Sequence, residues 1–151
     1  MSGLVHYWPI GKSLEDVIGG KNIIIKLNGE TFSNRFNELN SALKFKKGYG
    51  EFPPGIYFES SSYTFMIWAK LYSYDNNILH KRIFEFGNGQ ENDNIALSIN
   101  TGRIRLVFGD SNKMSRCTTN YTIDLNKWTH YTISAGQSNS YLYVNGILIM
   151  S

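Results

Sequence analysis

The stretch YLYVNGILIM, residues 141–150, holds two short apolar runs on either side of Asn145 and Gly146. Asn and Gly both tolerate positive φ, which the tight turns of β-hairpins require. Aromatic and β-branched side chains, which pack well on a pleated sheet, occupy most of the flanking positions. The stretch therefore predicts two antiparallel strands joined by a tight turn, and it is the strongest hairpin signal in the chain.

Short runs of the same kind recur along the chain and predict about a dozen strands, which is typical of an antiparallel β-sandwich. Residues 100–102 mark a second hairpin turn, and residues 28–29 close an early strand. Helical periodicity is limited to one turn within residues 33–43. The other predicted strands cover residues 4–10, 23–27, 41–45, 63–72, 82–87, 95–100, 103–109 and 128–134.

The composition suits one globular domain, since 151 residues with 15% aromatic side chains can bury a sizeable core. The formal net charge is only +3. Lysines and arginines are dispersed except in LKFKKG, residues 43–48, where they alternate with apolar positions as on the solvent side of a strand. Nucleic-acid binding needs a continuous basic face, so we expect no nucleic-acid partner.

The sequence leaves the cellular setting open. No apolar run reaches the length of a membrane span, so we expect no direct membrane insertion. Residues 1–11 lack the charged start and apolar stretch of a secretory signal. Cys117 is the single cysteine, which excludes an internal disulfide and predicts a half-buried small residue. The chain is either intracellular or a module of a longer exported protein.

Several segments, taken in order, resemble the laminin-G-like, concanavalin A-like lectin/glucanase superfamily, in the subgroup found in large extracellular multidomain proteins of invertebrates. The most specific segments are PPGIYF at residues 53–58, FGNGQ at residues 86–90 and WTH at residues 128–130. The resemblance implies an all-β fold, a two-sheet antiparallel jelly-roll β-sandwich, with one domain over residues 1–151. It also implies a module that recognises a glycan or a protein ligand in an extracellular or cell-surface protein.

One departure from the family pattern concerns the C-terminal end. Family members continue past the YVNG hairpin into a loop and a final strand that returns beside the first strand, whereas this chain stops at Ser151. We therefore expect the domain to lack its last strand. The strand at residues 4–10 would then have an unpaired edge, or a partner chain would donate a strand to it.

The loop within FEFGNGQENDNIAL, residues 84–97, is the first candidate site. Gly87 and Gly89 allow positive φ, and oxygen-bearing side chains crowd the short span between the flanking strands. Such side chains suit a polar contact to a ligand or a calcium ion. The alternative is a hairpin connection stiffened by hydrogen bonds between side chains and backbone. The candidate ligand-binding residues of this rim loop are Asn88, Gln90, Asp93 and Asn94.

The loop SLEDVIGGKN, residues 13–22, is the second candidate. It resembles the family loop D-x-x-G-x-x-N, in which the Asp and nearby carbonyls can hold calcium. The resemblance assigns Asp16 and Asn22 as calcium ligands, and Ca²⁺ is the only cofactor that it implies. The alternative is that Asp16 caps the backbone of its own loop.

Aromatic and ionisable residues give no sign of catalysis. Trp8, Trp68 and Trp128 lie among apolar neighbours, and alternation predicts that their rings point into the core. The histidines lack a nucleophile in a recognisable turn, so they are interpreted as structural. Glycosidases of this fold carry paired carboxylates spaced E-x-D-x-x-E on one strand, and no such array exists here. We therefore expect no enzyme, with a glycoside-active enzyme as the remote alternative.

Asn120 is the first residue of an N-glycosylation sequon, Asn120-Tyr121-Thr122. In an exported protein, this asparagine is a candidate for N-glycosylation. The sequence supports two functions: recognition of a glycan or protein through rim loops, assisted by calcium, and a structural or assembly role completed by a partner's strand.

Overall fold

The computed structural model describes residues 3–11, 13–58, 62–74, 81–87, 94–109, 114–136 and 139–151. These residues form ten β-strands and no helix, and every strand pair is antiparallel. The all-β, antiparallel fold class is therefore confirmed. The chain divides into two compact units, an N-terminal unit, Met1–Tyr57, and a C-terminal unit, Phe58–Ser151. The strands are β1 (Ile24–Phe32), β2 (Ala42–Glu51), β3 (Tyr63–Lys70), β4 (Lys81–Phe86), β5 (Asn94–Asn100), β6 (Arg103–Gly109), β7 (Met114–Thr122), β8 (Trp128–Ala135), β9 (Ser140–Val144) and β10 (Ile147–Met150).

Strands β1 and β2 form a two-stranded antiparallel hairpin in the N-terminal unit. The prediction that residues 28–29 end the early strand is wrong, because β1 continues to Phe32. Asn28 has a φ of 45° and lies between two register shifts, so this turn signal produces a bulge within the strand. Gly29 is required there, since a Cβ would come within 2.7 Å of the Phe45 ring.

Residues 4–10 form no strand, and this prediction is also wrong. The segment instead bonds to the loop that follows it, through hydrogen bonds from Val17 N–H to Tyr7 C=O and from the Trp8 indole N–H to Lys21 C=O. The expected helical turn within residues 33–43 is absent as well. There, the Asn34 side chain accepts the Phe36 and Glu38 amides in a tight turn.

The C-terminal unit contains two four-stranded sheets, with strand orders β10-β9-β8-β3 and β4-β5-β6-β7. Two hairpin predictions are confirmed, since Thr101 and Gly102 join β5 to β6 and Asn145 and Gly146 join β9 to β10. All four residues have positive φ, between 48° and 80°. These turns fix the register, and the register decides which side chains face the core.

A hydrophobic core lies between these two sheets. Phe65 of one sheet packs against Phe84 of the other, with 4.2 Å between ring centroids. Leu97, Ile104 and Leu142 are fully buried, and each such side chain stabilises the fold by about 1.5–3 kcal/mol relative to exposure. The C-terminal unit is therefore a two-sheet sandwich whose outer faces carry the remaining side chains.

Candidate functional site

The Asp16 carboxylate is the centre of a hydrogen-bond network in the N-terminal unit. Its Oδ1 accepts the backbone N–H groups of Tyr7 at 2.9 Å and Gly19 at 3.0 Å. Its Oδ2 accepts the N–H of Lys21 at 3.1 Å and contacts Nδ1 of His6 at 2.5 Å. Only 5% of Asp16 is exposed. One buried side chain thus ties residues 4–10 to the loop of residues 14–22.

An aromatic cluster surrounds the His6 side of this network. The His6 ring stacks on Trp8, with 5.3 Å between centroids and 14° between planes, and the Tyr57 ring lies 5.1 Å away. Trp8 also packs on Phe52 at 4.7 Å. Gly19 leaves room for the imidazole, because a Cβ at this position would overlap the His6 ring. The predicted structural role of His6 and the predicted packing of Trp8 agree with these contacts.

The charge state of Asp16 follows from this environment. Burial raises the pKa of Asp16, but the N–H groups of Tyr7 and Gly19, the His6 ring and the N–H of Lys21 outweigh it. The pKa therefore lies well below its usual range, and Asp16 is ionised at neutral pH. The same negative charge, after burial, contributes to the raised pKa of Tyr57.

The backbone-capping alternative for Asp16 describes the observed contacts. The Asn22 side chain is part of the same network, because its Oδ1 accepts the Asp16 N–H at 3.0 Å. A calcium ion at Asp16 and Asn22 would have to replace these donors. Within the described residues, no three His, Cys, Asp or Glu side chains lie close enough together to hold a metal ion. The calcium assignment stays a prediction.

Three residues of the predicted rim loop, Asn88, Gln90 and Asp93, lie outside the described residues. Asn94 is the first residue of β5, where it pairs with Gly109. Asn94 is buried, with 6% of its surface exposed, so it is much less accessible to a ligand than a surface residue is. The ligand-binding role of the rim loop stays a prediction.

Trp68 and Trp128 correct the prediction that both rings point into the core. Trp128 alternates on β8 with the buried Thr129, so it lies on the outer face of the β10-β9-β8-β3 sheet. Trp68 is 40% exposed and lies on the same outer face. Its neighbours Phe65 and Ile67 pack against the core and occupy the inner face. Because strand β3 is apolar on both faces, alternation alone could not orient it. The signal that orients it is the pairing of Ile67 with the buried Tyr131.

The side chains around Trp68 form what we call the aromatic face. Trp68 pairs with His130, with ring centroids 5.0 Å apart, and Lys70 lies over the Trp128 ring at 5.5 Å. A second row crosses all four strands of the sheet, because Met66, Thr132, Tyr143 and Leu148 pair in sequence from β3 to β10. The face is defined by Met66, Trp68, Lys70, Trp128, His130, Thr132, Tyr143 and Leu148.

Asn120, the predicted glycosylation site, lies on β7 and is exposed. Its Oδ1 is 3.5 Å from Nη1 of Arg103 on the neighbouring strand β6. An exposed asparagine at the edge of a sheet is accessible to modification. Glycosylation itself stays a prediction. Cys117, on the same strand, is exposed, although a half-buried position was expected.

Comparison with known proteins agrees with this architecture. The family model described as the concanavalin A-like lectin/glucanases superfamily matches residues 45–151, which include the whole of the two-sheet unit. No curated protein matches the chain. A single domain over residues 1–151 stays a prediction. Since the match covers more than half of the chain, it confirms the resemblance, and the chain belongs to the concanavalin A-like lectin/glucanases superfamily.

Proposed function

We propose that the chain is a non-catalytic recognition module that binds a glycan on its aromatic face. The observation that carries this proposal is the 40% exposure of Trp68 beside the His130 ring. Exposed indole rings offer a flat apolar surface with a polar edge. Sugar rings have the matching character, since their C–H groups form apolar patches and their hydroxyls lie at the rim.

The polar groups of the aromatic face suit such a ligand. The Thr132 hydroxyl and Nδ1 of His130 lie 3.4 Å apart, and Lys70 is placed between the rings of Trp128 and Tyr72. Binding sites are usually apolar surfaces with a few polar groups that fix the orientation of the ligand. This arrangement therefore supports binding of a neutral or weakly polar glycan over binding of an ion.

The aromatic face also supports a non-catalytic role. None of its eight residues carries a carboxylate, whereas glycoside hydrolysis uses two carboxyl groups about 5–10 Å apart. A protein ligand is the alternative occupant of the same face. Incubation with the bound glycan and analysis of the products tests the point, because the proposal requires the glycan to remain intact.

The proposal includes an extracellular or cell-surface setting. The exposed position of Asn120 within its sequon is the supporting observation. Secretion from eukaryotic cells behind a heterologous signal should give a protein whose mass decreases on endoglycosidase treatment. The Asn120→Gln variant should lack that shift. An identical, unmodified mass for both secreted proteins would contradict glycosylation at this residue.

A glycan array followed by titration of the best ligand tests the binding face. Trp68→Ala should weaken binding about tenfold or more, if a sugar ring stacked on the indole contributes as a stacked base does, on the order of 1–3 kcal/mol. Tyr49→Ala is the matched control, since it removes an aromatic side chain that is 54% exposed on β2. Equal affinity of wild type, Trp68→Ala and His130→Ala would contradict the aromatic face.

Assembly through strand pairing is the second candidate function, and β10 favours it. Ile147 and Leu148 are 66% and 50% exposed on this edge strand of the sheet. Exposed apolar edge strands invite pairing with another chain. Sedimentation at rising concentration tests this function. A monomer at all concentrations, for wild type and Leu148→Lys alike, would exclude self-assembly through β10.

A further inference from the structure

Asn-Gly pairs occur in the chain at residues 28–29, 88–89 and 145–146. Such a pair is chemically labile, because glycine has no side chain to shield its backbone nitrogen from the carboxamide of the preceding asparagine. Residues 88–89 lie outside the described part of the structure. The other two pairs can be compared directly, since in both the asparagine is exposed and has a positive φ, 45° at Asn28 and 50° at Asn145.

The reaction to which an Asn-Gly pair is prone is deamidation. The backbone nitrogen of the glycine loses its proton and attacks Cγ of the asparagine, which closes a five-membered succinimide ring and expels ammonia. Water then adds to either carbonyl of the ring, and the product is aspartate or isoaspartate, whose main chain runs through Cβ. Water is consumed, ammonia is released, and no oxidant or reductant takes part. Because the carboxamide must first turn toward the glycine nitrogen, the local structure sets the rate.

Asn145 is held by two hydrogen bonds to one residue. Its backbone N–H donates to His130 C=O, and its Oδ1 accepts His130 N–H, each at 2.9 Å. The residues on either side of the turn, Val144 and Ile147, pair directly across the hairpin. Turning the carboxamide toward Gly146 would break the side-chain bond, so the folded state opposes deamidation at this turn.

The carboxamide of Asn28 is held less firmly. Its Nδ2 donates to Lys47 C=O at 3.4 Å, whereas N–H···O bonds are usually about 2.7–3.2 Å long. Lys47 also has a positive φ, 54°, so the backbone is strained on both of the facing strands. The side chain of Asn28 therefore loses little when it turns toward Gly29.

The strand ladder is interrupted at Asn28. The pairs on either side join Leu27 to Tyr49 and Gly29 to Phe45, so three residues of β2 lie opposite Asn28 alone. A bulge of this kind leaves the ladder locally disrupted. The segment can consequently admit the torsional change that ring closure needs. An isoaspartate would add its extra main-chain carbon where the register is already irregular.

The charges near Asn28 favour the same reaction. Lys46 and Lys47 belong to the facing bulge, and both are exposed. Glu30, two residues along β1, is paired with Lys44 at 3.2 Å. Negative charge develops on the glycine nitrogen and then on the carboxamide oxygen during the attack, and nearby cations stabilise it.

We propose that Asn28 is a site of spontaneous deamidation in the folded protein, whereas Asn145 is protected. The change replaces a neutral amide by a carboxylate and lowers the formal net charge of +3 by one. The new carboxylate cannot donate to Lys47 C=O, so the modification should loosen the β1-β2 hairpin. The inference goes beyond the proposed function, because it concerns a covalent change in the N-terminal unit and requires no ligand.

Ageing of the folded chain in heavy-oxygen water at mildly alkaline pH tests the proposal. Each conversion adds one heavy oxygen, so peptide mapping by mass spectrometry follows Asn28 and Asn145 in the same sample. Asn28 should convert about tenfold faster, since the net contribution of one hydrogen bond corresponds to a rate change of up to about tenfold. Ageing in guanidinium chloride is the control. Both asparagines then lack their folded contacts, so their rates should become similar.

Asn28→Gly is the matched variant, because glycine keeps the positive φ and has no carboxamide. Hydrogen exchange of the β1 and β2 amides should accelerate as the wild type ages but stay constant in this variant. Conversion of Asn28 that is equal to or slower than that of Asn145 in the folded chain would overturn the proposal. Unchanged exchange in a converted wild-type sample would refute the loosening of the hairpin.

Discussion

Nδ1 of His6 lies 2.5 Å from Oδ2 of Asp16, and this contact closes the loop that holds the N-terminal segment. The contact links His6, in the irregular segment of residues 4–10, to Asp16, in a turn ten positions later. Four backbone N–H groups converge on the same carboxylate, from Tyr7, Ile18, Gly19 and Lys21. Such convergence makes the segment dependent on one charge.

Replacing Asp16 by Asn should therefore destabilise this loop. The amide keeps one oxygen but turns a donor toward Lys21 N–H and His6, so we expect the local opening free energy to fall by about 2–3 kcal/mol. Hydrogen exchange of the Gly19 and Lys21 amides measures the change. Glu15→Gln, one residue away and exposed, is the control and should leave exchange unaltered. Equal protection in both variants would show that the carboxylate does not organise the loop.

The pH dependence of the loop follows from the lowered pKa of Asp16. A carboxyl group whose folded pKa is depressed stabilises the fold above its unfolded pKa, about 3.9. This stabilisation is lost as the pH falls below that value toward the folded pKa. We expect the Tyr7 and Gly19 amide shifts to stay constant down to about pH 3, while loop stability decreases below about pH 4. Titration of these shifts near pH 4 would contradict the depressed pKa.

Gly19→Ala tests the packing of the His6 ring. Its Cβ would overlap the imidazole and come within 2.7 Å of Oδ2 of Asp16, so we expect a loss of about 1–3 kcal/mol. Gly11→Ala is the control, because a Cβ there meets no atom within 4 Å. The double variant His6→Ala/Gly19→Ala should cost less than the sum of its parts, since the clash with the imidazole ring is removed and only the contact with Asp16 is left. Additive losses, measured by urea unfolding, would refute this explanation.

The fold class followed from the sequence because the hairpin turns of the C-terminal unit carry local chemistry. Asn145 and Gly146 adopt the positive φ values that these residue types tolerate. The turn that they form fixes the register of β9 against β10. The segment at residues 4–10 has the same alternation as a strand, yet its hydrogen bonds go to the Asp16 loop. The alternation of apolar and polar residues predicts which side chains can share a face. It does not predict which acceptors the backbone N–H groups bond to.

The candidate sites were harder to predict than the fold. Trp68 has apolar neighbours on both sides in sequence, so its outward orientation depends on the pairing of β3 with β8. On the other sheet, Arg82, Arg105 and Arg116 come to share one face only through three strand pairings. In sequence these residues look dispersed, because cross-strand neighbours are distant along the chain.

Calcium dependence separates the two predicted metal loops. Because the Asp16 oxygens already accept hydrogen bonds, we expect Asp16→Asn to leave any calcium-induced rise in Tm unchanged. A rise in wild type that persists in Asp16→Asn and disappears in Asp93→Asn would place the ion at the rim loop. A rise abolished by Asp16→Asn alone would place it at Asp16 and contradict this expectation. The measurement is a thermal melt in millimolar calcium and in chelator.

The Asn145 turn should support both stability and binding. Asn145 N–H donates to His130 C=O, and its Oδ1 accepts His130 N–H, each at 2.9 Å. Asn145→Gly keeps the positive φ but loses the side-chain bond, about 0.5–1.5 kcal/mol, and Asn145→Ala adds about 1 kcal/mol of backbone strain. In urea unfolding, Asn145→Gly should therefore be less stable than the wild type, and Asn145→Ala less stable than Asn145→Gly.

Because His130 adjoins Trp68 on the aromatic face, both variants should also weaken glycan binding, whereas Gly146→Ala should lower stability alone. Unchanged glycan affinity in Asn145→Gly, with faster exchange of the His130 amide, would show that binding does not depend on this anchor.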